Sequence, residues 1–258
     1  MKKGILVVSF GTSYENTRKA CIESVEKRIE KEFPKSEVRR AFTSNIIINK
    51  LKKRDSLIID TPEQALNKMK NEGFDEVIIQ PTHIIPGKEY EEIVETVKAF
   101  KDSFEKVTMG RPLLTMNKDY KIAVDALKHQ LPDMKENEAV LLMGHGTYHH
   151  ANACYSCLQS VINDEELNLF VGTVEGYPEL DDIIPKLNKA NINEVTLMPF
   201  MLVAGDHAVN DLVGEEDSWK SILEEQGFKV KVHMSGLGEN SKYQDIYVNH
   251  VYDAMKDL

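Results

Sequence analysis

Cysteine and long apolar runs are scarce in this chain of 258 residues, and positive charges are outnumbered by negative ones. Three cysteines do not make the disulfide framework of a small secreted domain. A formal charge of −10 argues against a general nucleic-acid binder, because phosphate binding needs a broad basic surface. No apolar run approaches the roughly 20 residues of a membrane span, and the run at 5–8 is too short for a secretion signal. We therefore expect a reduced, cytoplasmic globular protein.

Apolar runs of strand length alternate with amphipathic stretches of helix length. This alternation predicts an α/β fold of parallel sheets with helices on both faces, and continuous apolar runs are typical of strands covered on both sides. The predicted strands are 4–10, 37–42, 76–80, 106–109, 139–143, 169–173, 194–199 and 229–234. The predicted helices are 14–32, 61–71, 89–100, 117–129, 151–163, 181–190, 216–226 and 243–256.

The second half of the chain repeats the pattern of the first half. Three pairs of segments match in the same order: 4–13 with 139–148, 61–77 with 177–195, and 81–89 with 199–207. We infer two similar lobes, 1–125 and 126–258, each a parallel sheet flanked by helices, with a boundary near Leu131-Pro132-Asp133.

In this alignment Phe10 matches His145, and Glu89 matches His207. A cleft between the lobes would then be asymmetric, with its imidazoles supplied by the second lobe.

Two predicted strands of the second lobe end in a small-residue turn that carries a histidine. His145 lies between two glycines after 139–143, and His207 follows Gly205-Asp206 after 194–199. The carboxyl edge of an open α/β sheet is where ligands bind, so the two imidazoles predict a metal or proton-transfer site. The alternatives are a turn histidine bonded only to backbone and, for Asp206, a helix N-cap rather than a residue that orients the ring.

Glu175 lies in a third strand-to-turn segment, 172–178. Two histidines and a carboxylate suit a divalent first-row metal ion and leave coordination positions open for a substrate. Taken alone, Glu175 is equally well explained as an ordinary solvated glutamate.

Further candidates lie at strand ends of the first lobe. His83 and Glu89 occupy the edge that corresponds to the histidine turns, as a proton relay or a substrate contact, although Glu89 also fits a first-turn helix acid. Hydroxyl groups near strand ends either line a cavity or cap helices: Ser9, Thr12, Thr43 and Ser44.

Two further motifs are better explained by structural roles than by catalysis or metal binding. His149 and His150 follow His145 at near-helical spacing, but Gly146 weakens the idea of a helix that spans them, so a supporting or surface role is favoured. Cys154 and Cys157 form a lone C-x-x-C pair, which is a weak zinc signal. On a helix both would pack as small apolar residues.

Positive charge is concentrated in one segment of this acidic chain. Residues 39–54 contain six basic side chains and no acidic one: Arg39, Arg40, Lys50, Lys52, Lys53 and Arg54. Such a local excess either holds the carboxylates of an anionic ligand or forms a solvated charged face.

Several stretches together resemble the class II tetrapyrrole chelatases, and within them the CbiK-type anaerobic cobaltochelatases. The matching segments are Leu6–Ser13, Arg40–Ser44, Met143–Gly146, Val174–Glu179, Leu197–His207, Asp217–Lys220 and Ser235–Asn240. They cover nearly the whole chain, and the long segment that ends at His207 is the most specific.

The resemblance implies a bilobal fold with the tetrapyrrole in the cleft. It implies a metal site formed by His145, Glu175 and His207, with His145 also the proton acceptor. For the substrate it implies contacts near these strand ends: Phe10, Gly11, Thr12, Thr43, Ser44, His83 and Glu89.

The implied reaction is insertion of Co²⁺ into sirohydrochlorin in the anaerobic cobalamin pathway, catalysed by a lyase without ATP. No P-loop is present, and the metal is a substrate rather than a permanent cofactor. Alternatives are iron or nickel insertion into the same or a related tetrapyrrole, a non-catalytic tetrapyrrole or metal carrier, and a zinc-dependent hydrolase.

Overall fold

A computed structural model describes residues 1–205, 208–214 and 217–256. The chain divides into two compact units, one formed by Met1–Thr115 with the segment from Ser241 onward, the other by Met116–Asn240. No helix in the described part of the chain is long and apolar enough to cross a membrane.

The first unit contains a parallel sheet of four strands in the order β2-β1-β3-β4. Its strands are β1 (Lys3–Ser9), β2 (Glu37–Phe42), β3 (Glu76–Pro81) and β4 (Lys106–Met109). Its helices are α1 (Glu15–Thr17), α2 (Glu23–Glu32), α3 (Asn45–Asp55), α4 (Pro62–Asn71), α5 (Lys88–Ala99) and, after the second unit, α10 (Ser241–Met255). A π-helical turn at Arg18–Ile22 joins α1 to α2, and a 3₁₀ turn at Lys101–Ser103 follows α5.

The second unit contains another parallel four-stranded sheet, in the order β6-β5-β7-β8. Its strands are β5 (Glu138–Gly146), β6 (Leu169–Glu175), β7 (Glu194–Pro199) and β8 (Lys229–Val232). Its helices are α6 (Asn117–Leu127), α7 (Ala153–Asp164), α8 (Leu180–Lys189) and α9 (Trp219–Glu225). Short turns of helix lie at His150–Asn152, Ala208–Leu212 and Leu237–Glu239.

The two sheets have the same strand order and the same register, which confirms the prediction of two similar lobes. Val8 of β1 lies opposite Pro81 of β3, and Met143 of β5 lies opposite Pro199 of β7. Counting two residues onward from Val8 and Met143 makes Phe10 and His145 equivalent, as the sequence alignment has it.

The units differ in their bounds from the expected lobes 1–125 and 126–258. The second unit already begins at Met116, before α6, and α10 belongs to the first unit. Polar contacts hold α10 there: the Tyr247 hydroxyl donates a hydrogen bond of 2.9 Å to the Thr82 carbonyl oxygen, and Arg28 pairs with Asp245 at 2.9 Å.

Each sheet lies in an apolar core because its central strands are covered on both faces. All six residues of β3 are buried, and so are all residues of β1 except Lys3. In the second unit, one core cluster joins Leu141 and Val195 of the sheet to Ile183 of α8 and Trp219 of α9. The buried strands are therefore rigid supports for the side chains at their carboxyl ends.

Two differences from the sequence prediction affect these strand ends. Helix α3 was not predicted, although the Ser44 hydroxyl caps it by accepting a hydrogen bond from the Ile47 backbone N–H at 3.4 Å. Strand β5 runs to Gly146 rather than stopping at Met143, so His145 belongs to the strand and not to the turn after it.

Candidate functional site

His145 is the penultimate residue of β5 and is half-buried. Its Nδ1 lies 2.9 Å from the carbonyl oxygen of Gly146. A carbonyl oxygen can only accept, so Nδ1 carries the proton and donates it to this hydrogen bond. In the neutral ring, the second nitrogen, Nε2, then holds the lone pair that binds a metal ion or accepts a proton.

Glu175 is the last residue of β6, the strand beside β5, and is exposed. The register places Glu175 opposite Gly146, so His145 and Glu175 are one register row apart on neighbouring strands. The structure thus brings two of the three predicted metal ligands to adjacent strand ends at one edge of the sheet.

Each of these two ligand candidates is followed by a glycine in the left-handed region. Gly146 has φ of 77° and Gly176 has φ of 91°. A Cβ on Gly146 would overlap the carbonyl oxygen of Glu175, and a Cβ on Gly176 would lie 2.7 Å from the carbonyl oxygen of Thr147. Only glycine gives both the backbone conformation and the close approach, so the two turns are in direct contact.

His207 and the preceding Asp206 lie outside the described residues. The described chain continues from the end of β7 as far as Gly205. The third predicted metal ligand therefore stays a prediction from the sequence.

Asn152 is a residue of this edge that the sequence did not single out. Its side-chain oxygen accepts a hydrogen bond from the Thr147 backbone N–H at 3.0 Å, and its amide nitrogen donates to the Tyr177 carbonyl oxygen at 2.5 Å. Its partners are 5 and 25 residues away along the chain. An asparagine before a helix reads as a cap, and nothing in the spacing indicates this second contact.

The other motifs near His145 have local structural roles. The His149 ring accepts a hydrogen bond from the Ala151 backbone N–H at 3.2 Å and so caps a short 3₁₀ turn, with the His150 ring centred 3.9 Å away. Cys154 is half-buried, but Cys157 is exposed, so the predicted packing role applies only to the first of the pair. Burial raises the pKa of the Cys154 thiol.

The first unit repeats the turn geometry but not the ligands. Gly11, the equivalent of Gly146, also has a positive φ, of 102°. The Thr12 hydroxyl accepts from the Tyr14 backbone N–H at 3.2 Å, and the Thr147 hydroxyl accepts from the His149 backbone N–H at 3.1 Å. Phe10 stands in the position of His145 with 44% of its surface exposed. This edge therefore presents an aromatic face where the second unit presents an imidazole.

Among the predicted hydroxyl groups, Ser44 and Thr43 differ in what they contact. Ser44 caps α3, so its oxygen is used locally. The Thr43 hydroxyl is buried, and within the described residues it has no hydrogen-bond partner. A buried hydroxyl without a partner is costly, which makes Thr43 the stronger of the two candidates for a ligand contact.

His83 and Glu89 lie together at the carboxyl edge of the first sheet. The His83 side chain is 10% exposed, and its Nε2 is 3.3 Å from a Glu89 carboxylate oxygen. Neither ring nitrogen is aligned for a hydrogen bond to any described residue. The two candidates are thus an imidazole and a carboxylate within ion-pair distance, and Glu89 is also an acidic residue in the first turn of α5.

Three of the six basic residues in the segment 39–54 form ion pairs within the chain: Arg39, Arg40 and Arg54. Arg39 pairs with Glu37 and Glu72, whose hydrogen bonds raise the pKa of the guanidinium. Arg40 donates to Glu26 at 2.7 Å. Despite this partner, burial raises the pKa of the Glu26 carboxyl group. These ion pairs favour the alternative of a charged surface face for Arg39 and Arg40 over an anion-binding role.

Two other basic residues lie beside the residues that follow β1. The Lys50 ammonium group is 6.0 Å from the centre of the Tyr14 ring, and Arg54 donates a hydrogen bond to the Ser13 carbonyl oxygen as well as pairing with Asp55. Both groups lie near residues that follow β1. Arg54 is paired with Asp55, so Lys50 is the stronger of the two candidates for contact with an anionic ligand.

Two solved structures share the fold of this chain. SirB from Bacillus subtilis with Fe³⁺ matches with a TM-score of 0.66 and 15% identity, over 98% of this chain and 96% of that one. CbiX, described as the terminal enzyme for siroheme biosynthesis in denitrifying bacteria, matches with a TM-score of 0.58 and 16% identity, over 98% and 99% of the two chains. At this identity the similarity shows the fold alone.

Sequence comparison gives the family. The family model described as cobalt chelatase (CbiK) matches residues 3–256. The sirohydrochlorin cobaltochelatase of Salmonella typhimurium is 44% identical over 256 residues, 99% of this chain and 97% of that protein. The sirohydrochlorin cobaltochelatase CbiKC of Nitratidesulfovibrio vulgaris is 36% identical over 265 residues, 100% and 92% of the two chains. The chain belongs to the CbiK family of cobalt chelatases.

Proposed function

We propose that this chain inserts Co²⁺ into sirohydrochlorin as a step of anaerobic cobalamin synthesis in the cytoplasm. The observation that carries the proposal is 44% identity, over nearly the full length of both chains, to a protein named sirohydrochlorin cobaltochelatase. The ligand candidates at the edge of the second sheet support it, because imidazole and carboxylate groups suit a divalent first-row ion.

Insertion of a divalent metal into a tetrapyrrole requires the transfer of protons away from the ring. A free tetrapyrrole carries two inner N–H protons, and both leave as the divalent ion binds the four ring nitrogens. The net change is one Co²⁺ taken up and two protons released, with no change of oxidation state and no nucleotide consumed. The chain must therefore supply bases and an open set of metal ligands.

His145 is our candidate for both tasks. With Nδ1 donating to the Gly146 carbonyl oxygen, Nε2 presents its lone pair away from the backbone. A nitrogen in this state binds Co²⁺ or takes a pyrrole proton. Glu175 on the neighbouring strand, and His207 from the sequence, complete the proposed ligand set and leave positions open for the ring nitrogens.

The first unit supplies groups of a different kind. Phe10 offers an aromatic face for the macrocycle, with Gly11 and Thr12 forming its turn. His83 and Glu89 are a second imidazole–carboxylate pair and a candidate acceptor for a proton.

Lys50 is the basic residue proposed to hold a substrate carboxylate, because Arg39, Arg40 and Arg54 are paired with carboxylates of the chain. Thr43 and Ser44, directly after β2, are proposed as further substrate contacts. The Thr43 hydroxyl has no hydrogen-bond partner among the described residues, whereas the Ser44 hydroxyl also caps α3.

The test is anaerobic incubation of the protein with sirohydrochlorin and Co²⁺, followed by absorbance of the tetrapyrrole. We expect catalytic turnover with Co²⁺ and no requirement for ATP. Parallel reactions with Fe²⁺ and Ni²⁺ identify the preferred ion, which the ligand types alone do not define. Stoichiometric binding of metal or tetrapyrrole without insertion would instead identify a carrier, and the proposal would be abandoned. Zinc that co-purifies with the protein, together with hydrolytic activity, would contradict it in favour of a hydrolase.

A further inference from the structure

One side chain joins the two turns that carry the ligand candidates of the second sheet. Asn152 accepts from the backbone N–H of Thr147 at 3.0 Å and donates to the carbonyl oxygen of Tyr177 at 2.5 Å. Thr147 is two residues after His145, and Tyr177 is two residues after Glu175. The amide therefore joins the two turns at backbone positions two residues after each ligand candidate.

The two turns are built alike around this contact. Each consists of the ligand candidate, then a glycine of positive φ, then the residue whose backbone bonds to Asn152. Space between the turns is tight, because a Cβ on Gly176 would lie 3.1 Å from the Asn152 amide nitrogen. The separation of the turns is thus fixed by a hydrogen-bonded amide on one side and by backbone contact on the other.

The chemistry of the contact requires an amide of this length. Thr147 presents a backbone donor and Tyr177 presents a backbone acceptor, so the bridging side chain must accept at one atom and donate at another. Leucine has neither group, and aspartate at neutral pH can only accept. Asn152 itself is held by the short 3₁₀ turn His150–Asn152 that leads into α7, so the amide starts from an ordered backbone.

We propose that Asn152 is a positioning residue that sets the separation of His145 and Glu175 for capture of Co²⁺. This inference rests on the proposed function for the identity of the metal. Groups that orient metal ligands are worth roughly 10–100-fold in metal affinity or activity, and a residue that fixes two ligands at once belongs to this class. Asn152 touches neither the ion nor the tetrapyrrole in this assignment.

Two substitutions and one matched control test it. Asn152→Leu removes both hydrogen bonds at similar volume, while Asn152→Asp keeps the acceptor for Thr147 and loses the donor to Tyr177. The control is Asn137→Leu, because Asn137 donates to the Asn193 side chain at 2.8 Å and joins the segments that precede β5 and β7, at the opposite end of the same sheet. It removes a comparable link between loops far from the ligand candidates.

We expect Asn152→Leu to weaken binding of Co²⁺ alone, measured by calorimetry on the folded protein, by roughly 10–100-fold. The kcat/KM for Co²⁺ falls by a similar factor, while the KM for sirohydrochlorin stays within about twofold of the wild-type value. Asn152→Asp gives a smaller loss of Co²⁺ affinity and of kcat/KM for Co²⁺. Asn137→Leu changes only the thermal stability.

Several outcomes would overturn the assignment. Binding of Co²⁺ by Asn152→Leu equal to that by Asn137→Leu, at matched thermal stability, would show that Asn152 is only structural. Equal increases in the KM for Co²⁺ and in the KM for sirohydrochlorin would show a general disturbance of the unit. If Asn152→Leu does not fold, the same comparison is made with Asn152→Asp. Since Co²⁺ binding is measured without tetrapyrrole, it decides the role of Asn152 even if the wild-type protein inserts no metal.

Discussion

Gly146 and Glu175 pair across β5 and β6 so closely that the second leaves no room for a side chain on the first. This contact joins the residue after one ligand candidate, His145, to the backbone of the other, Glu175. The edge of the second sheet therefore depends on backbone packing as much as on its functional side chains.

Gly146→Ala should destabilise the second unit for two separable reasons. The positive φ costs a non-glycine residue about 1–2 kcal/mol, and the overlap with the Glu175 carbonyl oxygen adds a further ~1–3 kcal/mol. Gly227→Ala is the matched control, since Gly227 has φ of 91° and no described atom within 4 Å of an added Cβ. Urea unfolding of both variants measures the difference. Equal losses of stability would mean that the two strand ends do not touch as described.

His145→Ala should abolish most metal insertion while leaving the fold intact. The substitution removes a proposed base and metal ligand from the end of an otherwise buried strand. Loss of a positioned base alone costs roughly 10²–10⁴ in rate. The assay is anaerobic Co²⁺ insertion into sirohydrochlorin, with circular dichroism to check folding. His233→Ala removes an exposed imidazole from the same unit and should keep full activity. A His145→Ala protein with wild-type turnover would exclude His145 from both roles.

Repetition within the chain made much of the fold predictable from the sequence. Matching 4–13 with 139–148 gave the equivalence of Phe10 and His145, and the strand registers agree with it. The eight strands of the described chain all overlap predicted strands. The central strands β1, β3, β5 and β7 contain continuous apolar runs, whereas the edge strands β2 and β8 carry charged residues and were found from their place between helical segments.

Helix α3 and the bridge at Asn152 were not predictable in the same way. The segment Ile46-Ile47-Ile48 is β-branched and favours a strand by propensity, but the Ser44 cap and burial of Leu51 hold it as a helix. Arg40 looked available for an anion because its partner Glu26 lies 14 residues earlier on α2. Contacts between distant segments leave no periodic signal in the chain.

Lys50→Glu should weaken binding of the anionic tetrapyrrole. Lys50 lies beside Tyr14, close to the carboxyl end of β1, whereas Arg39 and Arg40 are neutralised by nearby carboxylates. An exposed charge contact is worth up to about 1 kcal/mol and its reversal adds repulsion, so we expect the KM for sirohydrochlorin to rise roughly three- to tenfold.

The control for this substitution makes the same charge change before the amino end of β2, at the opposite edge of the first sheet. Lys35 is exposed and precedes β2, so Lys35→Glu should leave the KM unchanged. The effect of Lys50→Glu should shrink as ionic strength increases, because exposed charges are screened. An equal effect of the two substitutions would indicate long-range attraction rather than a contact at Lys50.

The ion pairs of Glu165 link the segments of α6 and α7, and we expect the second unit to lose their stabilising effect in acid. Lys121 on α6 and Lys128, directly after α6, both donate hydrogen bonds to the carboxylate of Glu165, which follows α7, and they lower its pKa to about 2. The pKa of a glutamate in an unfolded chain is about 4.3. Because the folded value is the lower one, the stabilisation is complete above the unfolded pKa and is lost as the pH falls from about 5 towards 2.

Urea unfolding of the wild-type protein and of Glu165→Gln, at a series of pH values, measures this loss. We expect the wild-type protein to be the more stable of the two at pH 7 and the difference to narrow steadily below pH ~5. Glu166→Gln, at the adjacent exposed position, corrects for general removal of negative charge. A difference between wild type and Glu165→Gln that is the same at every pH would show that the lysine contacts do not bias the protonation of Glu165. In that case α6 and α7 would be held together by apolar packing alone.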